Sequence, residues 1–477
     1  MSSERRLKYL ASRRPERSLW LQEALEGETD APRLEGDERA DVCIVGGGYT
    51  GLYTALRIKE LEPSVDVTIV EADICGGGPS GRNGGFMESW WIKFAALEAI
   101  CGTEEALRLA RHSAETVDLI IDLCAKHGID AHIRRKGWVL GASNPTQVGS
   151  WRSTVAALEA HGVHEFEELD RARAQEITGS ERYLSGLFEP QVTTLHPGHL
   201  ARGLRRVALE QGVRILEHSP VMSLQRNTRP RVRTAHGSVE AERLVLAIGP
   251  WLVQVAELRN SFAVIATDMV ATERIPDRLH EIGIDTGIGI SDARMLLNYY
   301  RSTLDGRLAW GKGGGSLAFA GRIGDRLHGP SHRPQEVAPN LRWFYPQLAD
   351  VRITHSWTGP VDRSVAGLPF FTHLPDSPAI LYGGGYSGNG VVPTFFGGRV
   401  LASLALERDD EYSGCGLVRD PIGKFPPEPV RWIGGLAVRG AVERKERFED
   451  RGRRPDLPTR VLAGFAPPGP AEARAGG

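Results

Sequence analysis

The residue types and spacings best suited to chemistry in this 477-residue chain are glycines rather than nucleophiles. Gly46, Gly48 and Gly51 form GxGxxG in CIVGGGYTGLY. After a strand and at the head of a helix, the first glycine permits a tight turn and the second lets backbone amides approach a pyrophosphate. The third lets helix and strand pack closely. Glu71 stands twenty residues beyond Gly51 at the end of VDVTIVE, where a carboxylate can accept hydrogen bonds from both ribose hydroxyls. Together they predict a dinucleotide site.

GGGPSGRNGGF (76–86) begins five residues after Glu71 and carries few side chains. A backbone stripped by Gly81, Gly84 and Gly85 can lie directly against a flat ring and its phosphates while Ser80, Arg82 and Asn83 offer donors. A third run, GGGYSGNG (383–390), also follows a strand and opens toward a helix. Gly385, Ser387, Gly388, Asn389 and Gly390 then sit at a helix N-terminus, which favours the electron-rich edge of a reduced flavin. NAD and FAD share the first half-site, but three glycine loops after strands point to one large ligand, and FAD fits them better.

No Ser/His/Asp or paired-carboxylate pattern stands out. His196 and His199 in HPGH have no further ligands at useful spacing and read as a turn before a helix, so no metal is expected. Five scattered cysteines without a CxxC pair favour a reducing cytoplasm. A formal net charge of −2 gives no global field for nucleic acid, and no apolar run reaches the ~18 residues a membrane helix needs.

The elements that must position these residues alternate. Val42–Val45, a helix through Leu61 and Val67–Val70 make one βαβ unit. Residues 94–128 read as two packed helices, 137–142 as a strand, 151–163 as a helix, and 243–251 as a strand ending in a glycine turn. AVIATDMVATE, MLLNYYRS and GRLAWGKGG alternate with turns, as an antiparallel sheet does. The expected class is α/β plus α+β: a Rossmann-like FAD-binding domain (41–93, 195–258 and 350–410) interleaved with a mixed or antiparallel-sheet substrate domain (94–194 and 259–349). Residues 1–40 read as a solvated basic arm and 411–477 as a charged tail after KFPPEP.

The βαβ motif with Glu71, the loop PSGRNGGF, the strand LVLAIGPW and the late GYSGNG resemble the D-amino-acid-oxidase-like FAD-dependent oxidoreductases over residues 40–410. ESWWIKF, MLLNYYRS, LAWGKGG, WTGPVDRSVAGLPFF and FPPEPVRWIGGLAVRG resemble its aminophosphonate oxidoreductase branch. The resemblance implies oxidation of the C–N bond of a small amine, of amino-acid or aminophosphonate type, to an imine that hydrolyses. Electrons pass to oxygen; a dehydrogenase using a quinone or protein acceptor, or a gamma-glutamylputrescine-type oxidase, is the alternative. It extends the cofactor contacts to Val221, Gly249 and Trp251. Some relatives bind flavin covalently through a cysteine before the last glycine loop or a histidine after the second strand. Residues 357–371 hold no cysteine and 71–91 no histidine, so FAD is expected to be noncovalent. Lys312 is the catalytic candidate, as a cation facing the flavin while oxygen is reduced. Lys93, Tyr299, Tyr300, Arg301 and Arg322 fall in segments expected near the cleft and could anchor an anionic substrate.

Overall fold

Val42–Val45 ends a ten-residue strand, Gly36–Val45, whose last four residues are buried. Such an unbroken apolar run is what a parallel strand covered on both faces requires. In the computed structural model, which describes residues 4–6 and 16–466, this strand is central. It pairs in parallel with Val67–Val70 on one side and Gly237–Leu246 on the other. Arg214–Leu216 continues the parallel set beyond Val67–Val70, and Ile380–Tyr382 of the strand Ser377–Gly384 lies beside Leu244–Leu246. Val45, Val70 and Leu246 therefore end at one edge, where ligands of open α/β sheets bind.

A second sheet of eight strands begins with Ile353–Ser364, Phe262–Thr272, Leu308–Lys312 and Asn298–Ser302. It continues through Gly289–Asp292, Trp138–Ala142, Ser185–Glu189 and Glu167–Leu169. Its neighbours are antiparallel except for Gly289–Asp292 beside Trp138–Ala142, so the sheet is mixed, as the turn-punctuated sequence implied. A Rossmann-like sheet interleaved with a mixed sheet is the expected fold class.

The boundaries drawn from sequence change in four places. Strand Ile353–Ser364, assigned with 350–410 to the cofactor part, pairs along its length with Phe262–Thr272 in the eight-stranded sheet. The helices Phe94–Cys101 and Thr103–Lys126 bury Leu97, Leu109, Val117 and Ile120 in one core with Tyr53, Phe396 and Leu401 of the cofactor part, rather than in the substrate part. Their apolar stripe is matched by Val391–Ala405, an almost wholly buried helix.

The segment read as a solvated arm also packs. Leu19–Ala24 is a helix with Leu19, Trp20 and Leu21 buried, and residues 36–40 belong to the central strand. Residues 1–3 and 7–15 of that arm, and 467–477 of the tail, lie outside the described residues. The rest of the tail is irregular up to Pro429 and then forms two helices, Val430–Glu449 and Leu457–Ala463, docked through Glu446, which accepts from the Leu296 N–H at 2.9 Å, and Asp450, which pairs with Arg294 at 2.7 Å. Charge dominates the composition of both terminal segments, and the few apolar residues that dock them are too short a pattern to stand out.

Candidate active site

A cavity of about 890 Å³ runs from the shared edge of the parallel strands to the eight-stranded sheet. At its first end the helix Tyr49–Leu61 begins at Gly48. Gly46 has φ +108°, and a Cβ there would sit 2.4 Å from the Ala247 carbonyl oxygen. A Cβ on Gly51 would lie 2.0 Å from the Gly46 carbonyl oxygen, so Gly51 does not line the cavity but lets the helix close on the turn. Glu71 lines the cavity and accepts from the N–H groups of Gly47 at 2.6 Å and Asp73 at 2.9 Å. Burial pushes its carboxyl up to about 7 against those two bonds.

The loop 76–86 meets the cavity through Gly77, Gly78, Pro79, Ser80, Arg82, Asn83, Gly84 and Phe86. Its donors are differently employed than the sequence suggested. Arg82 is buried, and its guanidinium donates to the carbonyl oxygens of Gly77 at 3.1 Å, Glu16 at 2.9 Å and Thr358 at 3.3 Å. Asn83 donates to the Ser80 carbonyl oxygen at 2.8 Å and accepts from the Gly85 N–H at 2.8 Å. Ser80 Oγ accepts from the Tyr49 N–H at 2.9 Å. Arg82 and Asn83 thus shape the loop, while its backbone meets the cavity. Gly81, Gly85 and Gly385 stand behind the lining, Gly85 and Gly385 at positive φ.

Val221, Gly249, Trp251, Ser387, Gly388, Asn389 and Gly390 all line the cavity. The Asn389 amide nitrogen is buried and, among the described residues, has no hydrogen-bond partner, a donor left for a ligand. A buried carboxylate at one end, a glycine turn at a helix start and an unused amide donor at the far loop are what the ribose, pyrophosphate and ring of FAD require. The residues fit that cofactor: Glu71 would hold the adenosine ribose, Gly46 and Gly48 the phosphates, and Asn389 with its neighbours the ring. Among the described residues no cysteine lines the cavity.

The remaining wall comes from the eight-stranded sheet and the C-terminal helices. Lys93 and Tyr299 line it, and the Tyr299 hydroxyl hydrogen-bonds Thr267 Oγ1 at 2.7 Å. Three other anchor candidates are elsewhere. Tyr300 stacks on Trp310 at 3.9 Å and shares its hydroxyl with Tyr183 and Tyr345. Arg301 is buried, donating to the carbonyls of Gly84 at 2.8 Å and Leu195 at 2.6 Å. Arg322 is exposed on the surface and does not line the cavity. Lys312, the catalytic candidate, does not line the cavity either: its ammonium donates to the Leu296 carbonyl oxygen at 3.2 Å, and burial lowers its pKa.

Sequence reasoning missed Glu88 and Arg363, both lining residues, and the helix Val430–Glu449, which contributes Val438, Arg439 and Val442. The signal for Glu88 lay in FMESWWIKF, where Glu88 and Lys93 are the charges in an otherwise apolar, aromatic run. His196 caps the helix Pro197–Glu210 by accepting from the His199 N–H at 3.0 Å, and its other ring nitrogen hydrogen-bonds Glu23 at 2.9 Å.

Comparison with known proteins places this geometry. The chain is 32% identical over 400 residues to gamma-glutamylputrescine oxidoreductase of Escherichia coli (strain K12), covering 83% of this chain and 91% of that protein. Its fold superposes on crystal structures of glycine oxidase from Geobacillus kaustophilus (TM-score 0.64, 19% identity, 81% of this chain and 100% of that one). It does so equally on L-proline dehydrogenase from P.horikoshii (TM-score 0.63, 16% identity, 79% and 96%). These two likenesses concern the fold. Residues 41–404 match the family described as FAD dependent oxidoreductase. With the glycine turn, the buried acid and the interleaved sheets all in place, the chain belongs to that family of FAD-binding oxidoreductases, whose members act on amines and amino-acid-like substrates.

Proposed function

We propose that the protein oxidises the C–N single bond of a small amine of amino-acid or aminophosphonate type, passing the electrons to oxygen in the cytoplasm. The observation that carries this reading is the continuity of one cavity from the cofactor loops to a wall bearing Lys93, Glu88 and Arg363. Bound FAD would supply the two-electron acceptor, the part of the reaction that side chains cannot perform. The chain's own contribution is placement and exclusion of water. Phe86, Ile92, Trp138 and Tyr299 form an apolar and aromatic wall, with Phe86 and Tyr299 edge-to-face at 6.2 Å. The substrate must react as the neutral amine, and the imine that forms hydrolyses to a carbonyl compound. Five free cysteines agree with a reducing compartment.

A gamma-glutamylputrescine-type substrate is the second reading, favoured by the identity to the Escherichia coli relative. The test is anaerobic reduction of the enzyme-bound flavin by a panel of amino acids, 2-aminoethylphosphonate, gamma-glutamylputrescine and simple alkylamines, followed by admission of air. Rapid bleaching by one class identifies the substrate, and hydrogen peroxide on reoxidation marks an oxidase. Bleaching followed by slow reoxidation, relieved by a quinone, would assign a dehydrogenase. Absence of bleaching with every amine would overturn the reading.

A further inference from the structure

The cavity wall carries many ionisable side chains, and nearly all are accounted for. Asp73 pairs with Arg17, Asp362 accepts from the Gly385 N–H at 2.6 Å, and Glu71 is held by two backbone N–H groups. Arg82 is spent on carbonyls, Arg431 pairs with Glu428 at 2.8 Å, and Arg439 pairs with Glu443 at 2.8 Å. His328 bonds the Gly77 carbonyl oxygen at 2.9 Å. Glu88 and Lys93 differ. Both line the cavity, both are half-buried, and among the described residues neither has an ion-pair partner within 4.0 Å, the other included.

Two opposite charges held apart in a half-buried cavity wall cost free energy unless something completes them. Lys93 ends the one-turn helix Trp91–Lys93 and Glu88 lies three residues before its start, so their separation is set by local backbone. The strand opposite adds Arg363, which lines the same cavity and whose charge acts on Lys93. The positive pole is thus Lys93 reinforced by Arg363, and the negative pole is Glu88.

We propose that Glu88 and Lys93 are the two poles of a subsite for a compact zwitterionic amine, with the substrate's ammonium at Glu88 and its carboxylate or phosphonate at Lys93. This rests on the amine-oxidation reading and narrows it to substrates that carry their own anion. It also gives the ammonium a place to leave its proton. One proton passes from nitrogen to a Glu88 carboxylate oxygen, giving the carboxylic acid and the neutral amine, and no electrons move in that step. Burial holds the Glu88 carboxyl at about 7, a suitable strength for such an acceptor near neutral pH.

The test uses the FAD-loaded protein and two non-oxidisable anions, propionate and methylphosphonate, titrated while the flavin spectrum is followed. Saturable shifts are expected, and the tighter anion tells carboxylate from phosphonate recognition. Lys93→Met should weaken that anion by at least about tenfold, and Lys93→Arg should restore much of it, with flavin content confirming that each variant folds. Glu88→Gln should leave anion binding in place while slowing flavin reduction by zwitterionic amines. Equal anion affinity in Lys93→Met, or alkylamines that bleach the flavin as fast as zwitterions, would overturn the subsite. Anion binding that depends on Lys93 in a protein no amine reduces would leave the subsite standing and sink the oxidation reading instead.

Discussion

Lys312 stops one peptide short of the cavity: its ammonium donates to the Leu296 carbonyl oxygen at 3.2 Å, while Leu296 itself forms part of the wall. Asp292 and Glu446 lie near enough to favour its charge, although burial opposes it. A lysine so placed ties the wall to the C-terminal helix Val430–Glu449 rather than presenting charge to a reacting ring. Lys312→Met should therefore reoxidise at close to the parent rate in stopped-flow experiments. It should lose about 1–3 kcal/mol of stability, because a buried charged donor is removed and the acids beside it lose their compensation. A reoxidation rate reduced a hundredfold, with stability unchanged, would return Lys312 to the catalytic role its sequence context suggested.

Glu71 is expected to set cofactor affinity and its pH dependence. Replacement by alanine should cost about 1.5–3 kcal/mol of FAD binding, the worth of a charge-assisted hydrogen bond, or roughly ten- to a hundredfold in Kd. In the protein without cofactor its carboxyl is raised to about 7 by burial. Below that pH the group is protonated and has lost acceptor capacity for the ribose; above it the carboxylate is ready. FAD affinity should rise as pH passes upward through about 7 and then level off, and titrations of the apoprotein at several pH values measure it. A Glu71→Ala protein should show no such rise.

The pair Glu88 and Lys93 predicts a different pH signature in flavin reduction. Burial raises the Glu88 carboxyl to about 7 and lowers the Lys93 ammonium to about 8. The charges facing them are each other, Arg363 beside Lys93, and Glu189, which Ser89 holds through a 2.7 Å hydrogen bond. The productive form has Glu88 ionised and Lys93 protonated, so it is lost as pH falls through about 7 and again as pH rises through about 8. Reduction by a zwitterionic amine should follow a narrow bell. Glu88→Gln should erase its acid limb and Lys93→Met its alkaline limb.

Acid precipitation should release the flavin as free FAD, since among the described residues no cysteine lines the cavity and residues 71–91 hold no histidine. Colour remaining with the pellet would show a covalent link.

Trp20 supports the cofactor loop from the N-terminal segment. It is fully buried, stands edge-to-face to Trp357 at 5.6 Å and donates from Nε1 to the Asn83 carbonyl oxygen at 2.9 Å. Trp20→Ala should cost about 3–5 kcal/mol of stability by opening a cavity. Loosening Asn83 should also weaken FAD, which separates this residue from core positions remote from the loop. Thermal unfolding with and without added FAD measures both effects.

What the sequence determined by itself is the cofactor end. Gly46 must take a positive φ beside the Ala247 carbonyl, Gly51 must let a helix touch a turn, and Glu71 must follow a buried strand. Each requirement is met within one βαβ unit, so residue type and spacing record it directly. The mixed sheet was legible for a similar reason, since alternating strands and turns are local patterns. The tertiary structure alone decided which polar side chains line the cavity. Arg82 and Arg301 have the chemistry of anion binders, but their guanidinium groups are consumed by carbonyls from Glu16, Thr358, Gly84 and Leu195, segments far away in the chain. Lys312 has the same chemistry as Lys93, yet the Leu296 carbonyl holds the first, while the second, among the described residues, has no ion-pair partner in the cavity wall. A side chain's availability depends on every group that packs around it, and those groups arrive from all parts of the sequence, including the N-terminal segment and C-terminal helices whose charge disguised them as solvent-facing.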